Sequence, residues 1–257
     1  MLRRLFLSAC LATAMGTTAM GGAAHAQALK VGSTPTGVPF TFLDTRSNSI
    51  QGMMVDLIAA IGKHQGFTTE VQATPFAALV TSLTTSRIDI ISAAMLATPA
   101  RREVIDFSDP VYAYGEGLVV PAADANAYTS LADFKGRNVA AGVQIGTVYV
   151  QPLQAAGAFS EVRTYDSIAD IMRDVNLRRL GAGFGDAPII AYQIAQGTFT
   201  GVRLVSTYKP AVVGSIAIGV RKNDPLLGRI NAGLATIKAN GELAAIIAKW
   251  NLPASAE

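Results

Sequence analysis

The chain has 257 residues, half of them hydrophobic and 15% charged, with 21 Lys and Arg against 18 Asp and Glu. That is enough for one or two globular domains with a sizeable core. The near balance of charge gives no basic surface for nucleic acid or an anionic membrane, so neither is expected as a partner.

Residues 1–26 stand apart from the rest. "MLRR" is a short basic start, "LFLSACLATAMGTTAM" is apolar and small, and "GGAAHA" ends in Ala-x-Ala. This reads as a secretory signal peptide cut after Ala26, which places the mature protein in the periplasm. "LSAC" at 7–10 resembles a lipoprotein cleavage box. It leaves only about five apolar residues before Cys10, against the roughly 7–15 of a signal's apolar core, so lipidation is the lesser reading. Arg3–Arg4 lacks the surroundings of a twin-arginine signal.

Removing residues 1–26 leaves 19 basic residues against 18 acidic, no cysteine, and His64 as the one histidine. Disulfides, Cys zinc sites, Cys–His nucleophiles and HExxH are all excluded, and no metal or other cofactor is expected. His64 closes a predicted helix in "AAIGKHQGF", where a cation-capable side chain suits the dipole. No later stretch reaches the ~18 continuous apolar residues of a membrane span.

The remaining chain alternates strands and helices. "LKVGS" (29–33) is a strand. "MVDLIAAIGKH" is a helix with Met54, Leu57, Ile58 and Ile61 on one stripe. "FTTEVQAT" is a strand, "FAALVTSLTTS" a helix, and "IDIISAAM" (88–95) a buried-type strand. "GLVVPA" is another strand. The pattern then restarts: "SLAD" (130–133) is spaced for a capping box, "NVAAGV" is a strand, and "TVYVQPLQAAG" a helix broken or begun late at Pro152. "EVRTY" is a strand, "SIADIMRDVNLRRL" a helix with a second Ser-x-x-Asp, "GAGFGD" a strand, "APIIAYQIAQ" a helix and "VRLVS" a strand. "GSIAIGVRK" (214–222) reads as one strand. The chain closes with two helices, one opened by Asp224–Pro225 and stopped by Gly241, the other carrying Leu243, Ile246, Ile247 and Trp250. Two α/β units follow, and a cleft between such units is a default place for a small ligand.

"ATPARREVIDFSDP" (97–110) poses a local problem. Thr98 is a good N-cap and Pro99 a good first helical residue. Arg101 and Arg102 then put two cations where the helix dipole is already positive. Either they pair with Glu103, Asp106 or Asp109, or one of them awaits an anion.

The order of "VPFTF", "IQGMMVDLIAAI", "SRIDIISAAMLATPARREVIDFSDPVY", "LADFKGRNVAAGVQIGT", "GAGFGDAPIIAY" and "DPLLGRINAGLATIKANGELAAIIAKWN" resembles the bacterial extracellular solute-binding proteins of the polar amino acid type, which serve ABC importers. The likeness runs from about residue 29 to 252. It implies an α/β two-lobe periplasmic binding protein fold, with lobe one from residues 27–114 and 217–257 and lobe two from 115–216. Hinge segments are implied near 112–117 and 207–219, with an interlobe cleft that closes over ligand. It also implies an inner-membrane permease as partner and a monomer that is not an enzyme.

By the same resemblance, Arg101 matches the arginine that grips an α-carboxylate, for which a guanidinium fork is suited. Asp186 matches the acid that receives the α-ammonium, although it could equally cap "APIIAY". Phe76 matches an aromatic of the side-chain pocket, although its stripe also suits core. Thr147 and Val148 fall where backbone N–H groups meet the carboxylate, and Thr98 heads the arginine's helix. Tyr149 could face either the cleft or solvent. Elsewhere the chain departs. Leu96 stands where the family has Thr or Ser, Ala94 replaces Gly or Ser, and Gly37 replaces a covering Tyr or Phe. Thr34 replaces an acid seen with cationic ligands, and Met53 the first Asp of "GFDVDL". Leu96 trades a hydroxyl for an apolar wall, Gly37 opens space, and Thr34 withdraws a counter-charge. The expected ligand is a small amino-acid-like or carboxylate molecule that is not a basic amino acid. A dehydratase acting on a prephenate-like acid, or a ligand-sensing module, are the alternatives on the same scaffold.

Overall fold

The computed structural model describes residues 27–253; the signal peptide expected at residues 1–26, with Cys10, lies outside the described residues. In chain order the first unit holds β1 (Gln27–Ser33), β2 (Thr36–Gly37), β3 (Thr41–Asp44), β4 (Ser49–Gln51), α1 (Met53–Gln65) and β5 (Phe67–Ala73). It continues with α2 (Leu79–Thr84), β6 (Ile90–Ile91), α3 (Pro99–Val104) and β7 (Ile105–Phe107). The second holds β8 (Tyr112–Pro121), β9 (Ala140–Gln144), α4 (Val150–Ala155), β10 (Glu161–Tyr165), α5 (Ile168–Asn176), β11 (Ala182–Asp186), α6 (Ala187–Ala195) and β12 (Val202–Leu204). The chain returns through β13 (Val213–Ile216) and β14 (Gly219–Arg221) to α7 (Leu226–Ala239) and α8 (Glu242–Lys249).

Local chemistry accounts for most helix boundaries. The α1 stripe of Met54, Leu57, Ile58 and Ile61 is fully buried, and the helix stops where Gly66 turns left-handed at φ 68°. Ser167 caps α5 by accepting the N–H of Asp170, and Ser130 with Asp133 forms a capping box. Asp224 accepts the N–H of Leu226 at 3.0 Å at the head of α7. His64 meets Glu242 of α8 at 2.8 Å, which is a surface tie between helices.

Two sheets form two lobes. The first has the order β5-β1-β6-β14-β7, with β5, β1 and β6 parallel and β14 antiparallel to its neighbours. The second has the order β10-β9-β11-β8-β12, with β8 antiparallel to β11 and β12. β13 pairs with the start of β8, from Val213 opposite Gly115 to Ile216 opposite Tyr112. These two strands carry the chain out of the first sheet and back. No helix among the described residues is long and apolar enough to cross a membrane.

Several expected elements are cut differently. "GSIAIGVRK" is two strands, because Ile216 pairs with β8 while Gly219 pairs with Ile91 and Phe107 in the other sheet. "IDIISAAM" keeps only Ile90–Ile91 in the ladder. Beyond it Ser92 turns its hydroxyl onto Met54 O at 2.7 Å, and the chain leaves the sheet. "FAALVTSLTTS" begins as a 3-10 turn at Phe76–Ala78 before α2. The strand expected at "GLVVPA" starts five residues earlier, so one hinge segment is itself extended backbone. The small sheet β2-β3-β4 was not expected, because its strands are too short to show alternation.

Candidate functional site

Thr98 accepts the N–H of Arg101 at 3.4 Å, and Pro99 occupies the first position of α3. The cap sets the direction of Arg101. Its Nη1 donates to Leu96 O at 2.8 Å, and its Nη2 donates to Gly146 O at 3.0 Å. Leu96 lies in the first lobe and Gly146 in the loop after β9, so one guanidinium spans the cleft. The charge also sits 5.5 Å from the centre of the Phe76 ring, within cation–π range. Burial lowers the guanidinium's pKa from its ordinary value, and Tyr114, Asp186 and Tyr149 oppose that. Among the described residues no carboxylate forms an ion pair with Arg101. Asp106 pairs with Lys222 at 2.8 Å instead. Arg102 lies over the Phe107 ring at 5.4 Å, away from the cleft.

Asp186 ends β11 and is buried. Its side chain makes no capping bond to α6. Instead its Oδ1 accepts the Tyr149 hydroxyl at 2.7 Å. Burial raises its carboxyl to about 6, while hydrogen bonding from Tyr149 and Tyr114 and the charge of Arg101 pull the other way. Tyr114 stands on β8 and donates to Ala94 O at 3.0 Å. Burial raises both phenols well above their ordinary value, so both stay protonated donors.

The remaining expected residues fall unevenly around this core. Ala94 contributes its carbonyl to Tyr114. Leu96 contributes its carbonyl to Arg101, but its side chain is buried against the return strand, 3.5 Å from where a Cβ on Gly214 would sit. It is therefore packed behind the cleft as much as walling it. Thr147 turns both its N–H, at 3.3 Å, and its hydroxyl, at 2.7 Å, back onto Gln144 O. That N–H already has a partner, and α4 begins only at Val150, two residues beyond the half-buried Val148. Gly37 lies on β2, where a Cβ would meet Thr34 Oγ1 at 3.2 Å, so the first carbon beyond its backbone would already be crowded. Thr34 itself is hydrogen-bonded to Thr41 at 2.6 Å. Gly146 has φ 80°, and a Cβ there would lie 2.8 Å from Ala77 Cα in the other lobe. The lobes thus touch closely beside Arg101.

Sequence reasoning missed Tyr114 and left Tyr149 undecided. The alternating aromatics of "YAYG" on a strand were the available signal for Tyr114. Nothing local marks Tyr149, whose partner is 37 positions away. A cavity of about 720 Å³ lies to one side, lined by Tyr112, Tyr114, Ala187, Pro188, Tyr192 and Leu252 among others, and neither Arg101 nor Phe76 borders it. Among the described residues no group of His, Cys, Asp and Glu could hold a metal.

Two α/β lobes joined by paired crossing strands, with an arginine reaching across the cleft near a buried acid, define a two-lobe binding protein of the periplasmic type. Residues 29–253 match the family model for bacterial extracellular solute-binding proteins, family 3, and the chain belongs to that family. It is 30% identical over 256 residues to the arginine-binding extracellular protein ArtP of Bacillus subtilis, covering 96% of each chain. Among solved structures it resembles an ancestral arginine-binding protein bound to glutamine, at TM-score 0.79 and 29% identity over 87% of this chain and 97% of that one. It also resembles the ancestral amino acid-binding protein AncCDT-1, a precursor of cyclohexadienyl dehydratase, at TM-score 0.78 and 28% identity over 87% and 95%.

Proposed function

We propose that this protein is the periplasmic substrate-binding component of an ABC importer. It holds a small amino-acid-like or carboxylate ligand, not a basic amino acid, between its lobes. The observation that carries this reading is the Arg101 guanidinium, which is bound to carbonyls of both lobes and, among the described residues, forms no ion pair with a carboxylate. A ligand carboxylate takes the fork bidentately and, by contacting both lobes, favours closure. Phe76 flanks the charge, Thr98 caps its helix, and Thr147 with Val148, which follow Gly146 in the chain, meet the carboxylate from the second lobe in this proposal. Lobe boundaries after Tyr114 and Ile216 place both crossings on β8 and β13. The exclusion of a basic amino acid rests on the missing acid at Thr34, since ancestral arginine-binding proteins bound to glutamine and to arginine resemble this chain alike.

Calorimetry against a panel of amino acids and carboxylates tests the reading. Arg101→Ala is expected to abolish binding and Arg102→Ala to leave it intact. Affinity that survives Arg101→Ala unchanged would sink the assignment. The likeness to a dehydratase precursor, with Asp186 raised to about 6, favours one second reading: general-acid chemistry on a prephenate-like acid. Phenylpyruvate formed from prephenate above the uncatalysed background would establish it, and none is expected.

A further inference from the structure

Asp186 does not stand alone. In the ladder of β11 with β8 it lies directly opposite Glu116. Residues so paired have Cα atoms about 5 Å apart and side chains on one face of the sheet. Both acids are buried, and among the described residues neither forms an ion pair. Their surroundings differ. Glu116 receives three donors, the Tyr208 hydroxyl at 2.6 Å and the N–H groups of Ala211 at 2.8 Å and Val212 at 3.1 Å, and donors of this kind favour the charged form. Asp186 receives the Tyr149 hydroxyl at 2.7 Å, with Tyr114 of β8 and the Arg101 charge of α3 also facing it. Burial and then the charges of Asp186 and Glu116 raise the Tyr149 phenol, so both acids act on one hydroxyl. The other neighbours of β11 add no charge. β9 carries no titratable residue, and α6 carries Tyr192 into the side cavity. α5 packs on β11 through Ile168, Ile171 and Val175, while its Asp170 pairs with its own Arg173.

We propose that Glu116 is a positioning residue for the ligand site and acts through Asp186: its charge keeps a proton on the Asp186 carboxyl until the α-ammonium of an amino acid replaces that proton. The proposal rests on the readings of Arg101 as the carboxylate grip and Asp186 as the acid that receives the ammonium. Two like charges on opposite strands of a buried site are disfavoured, so the second acid stays neutral until a cation arrives. On binding, the Asp186 O–H bond breaks, the carboxylate accepts the ammonium and the proton passes to solvent. An Asp186 carboxyl raised by burial to about 6 agrees with this. Below about 6 the ligand-free protein holds a proton that the complex lacks, so affinity rises with pH up to that value and levels above it.

Calorimetry tests this with the standard amino acids other than histidine, aspartate, glutamate and cysteine, carrying the tightest binder through pH 5 to 7.5. Two carboxylate-free buffers of different ionisation enthalpy give the proton count. Roughly three-quarters of a proton is expected to leave at pH 5.5 and under a tenth at pH 7.5, with affinity rising about tenfold from pH 5 to 7.5. Glu116→Gln is expected to lower the midpoint of that profile by about one pH unit or more. Tyr208→Phe, which loosens the same contact but keeps the acid, is expected to leave the midpoint in place. Binding that depends on Arg101 but releases no proton at pH 5.5 overturns the inference, whatever the variants do, and leaves the carboxylate site standing. A midpoint unmoved in Glu116→Gln, or moved equally in Tyr208→Phe, overturns the role given to Glu116. If none of these amino acids binds, the inference fails, and the carboxylate panel alone decides the reading of Arg101.

Discussion

Glu116 is a buried acid on β8, 3% exposed, and among the described residues it forms no ion pair. Its Oε1 accepts the Tyr208 hydroxyl at 2.6 Å and the Ala211 N–H at 2.8 Å, while Oε2 accepts the Val212 N–H at 3.1 Å. Its own N–H donates to Val212 O at 3.2 Å, so one residue of the outgoing crossing fastens the returning one. Glu116→Gln keeps one oxygen but turns an amide NH2 toward a backbone N–H. A buried donor left without an acceptor costs about 1–3 kcal/mol, and the surviving bonds drop from charge-assisted to neutral strength. The sum is about 2–4 kcal/mol, which at about 2–4 °C per kcal/mol for a chain of this size lowers Tm by roughly 4–16 °C. Glu116→Ala strands three donors and costs more. Urea and thermal unfolding followed by far-ultraviolet circular dichroism measure the effect. A Tyr208→Phe cycle isolates its hydroxyl, with an expected coupling of about 0.5–3 kcal/mol. If Glu116→Gln changes stability by less than about 0.5 kcal/mol, the carboxylate is not the fastening and the reasoning is wrong.

Two other outcomes follow from the cleft. Burial holds the Asp186 carboxyl at about 6, above its ordinary 3.8, with Tyr149, Tyr114 and Arg101 facing it. Between those values the folded protein keeps a proton that the unfolded chain has lost, so Asp186 makes stability fall as pH rises through that window and stay lower above it. Relative to wild type, Asp186→Asn is therefore expected to gain on the order of 3 kcal/mol between pH 4 and 7; a difference that is flat with pH in denaturant titrations contradicts this. Gly146→Ala places a Cβ 2.8 Å from Ala77 Cα at φ 80°. It is expected to cost about 1–2 kcal/mol and to part the lobes, raising the radius of gyration in small-angle scattering. An unchanged radius together with an unchanged Tm would remove Gly146 as the point of close approach.

How far the site was legible follows from which partners are near in sequence. Thr98, Pro99 and Arg101 lie within one helical turn, and the wrong-signed charge there already asked for an anion or a pairing carboxylate. Asp186 was ambiguous between a helix cap and a ligand group. That ambiguity could not be resolved from "GFGDAP", because the deciding fact is the Tyr149 hydroxyl 37 residues away. The Leu96 side chain turns toward Gly214, a position 118 residues later, which nothing near Leu96 in the sequence signals. The Thr147 N–H turns onto Gln144 O within its own turn, a local contact that the helix-start pattern does not report.

The sequence by itself determined the alternation of strands and helices, the buried faces of α1 and α5, and the helix starts at Thr98, Ser167 and Asp224. Each of these depends on side-chain spacing within a few residues, which 3.6- and 2-residue periodicity reports directly. Only the tertiary structure decided that residues 214–222 serve two sheets, that Arg101 reaches Gly146, and that two tyrosines engage Asp186 and the carbonyl beside it. Those outcomes depend on where two distant crossings of the chain bring backbone carbonyls and hydroxyls together. A buried polar group takes whichever partner the fold delivers, and periodicity along one strand or helix carries no information about that partner.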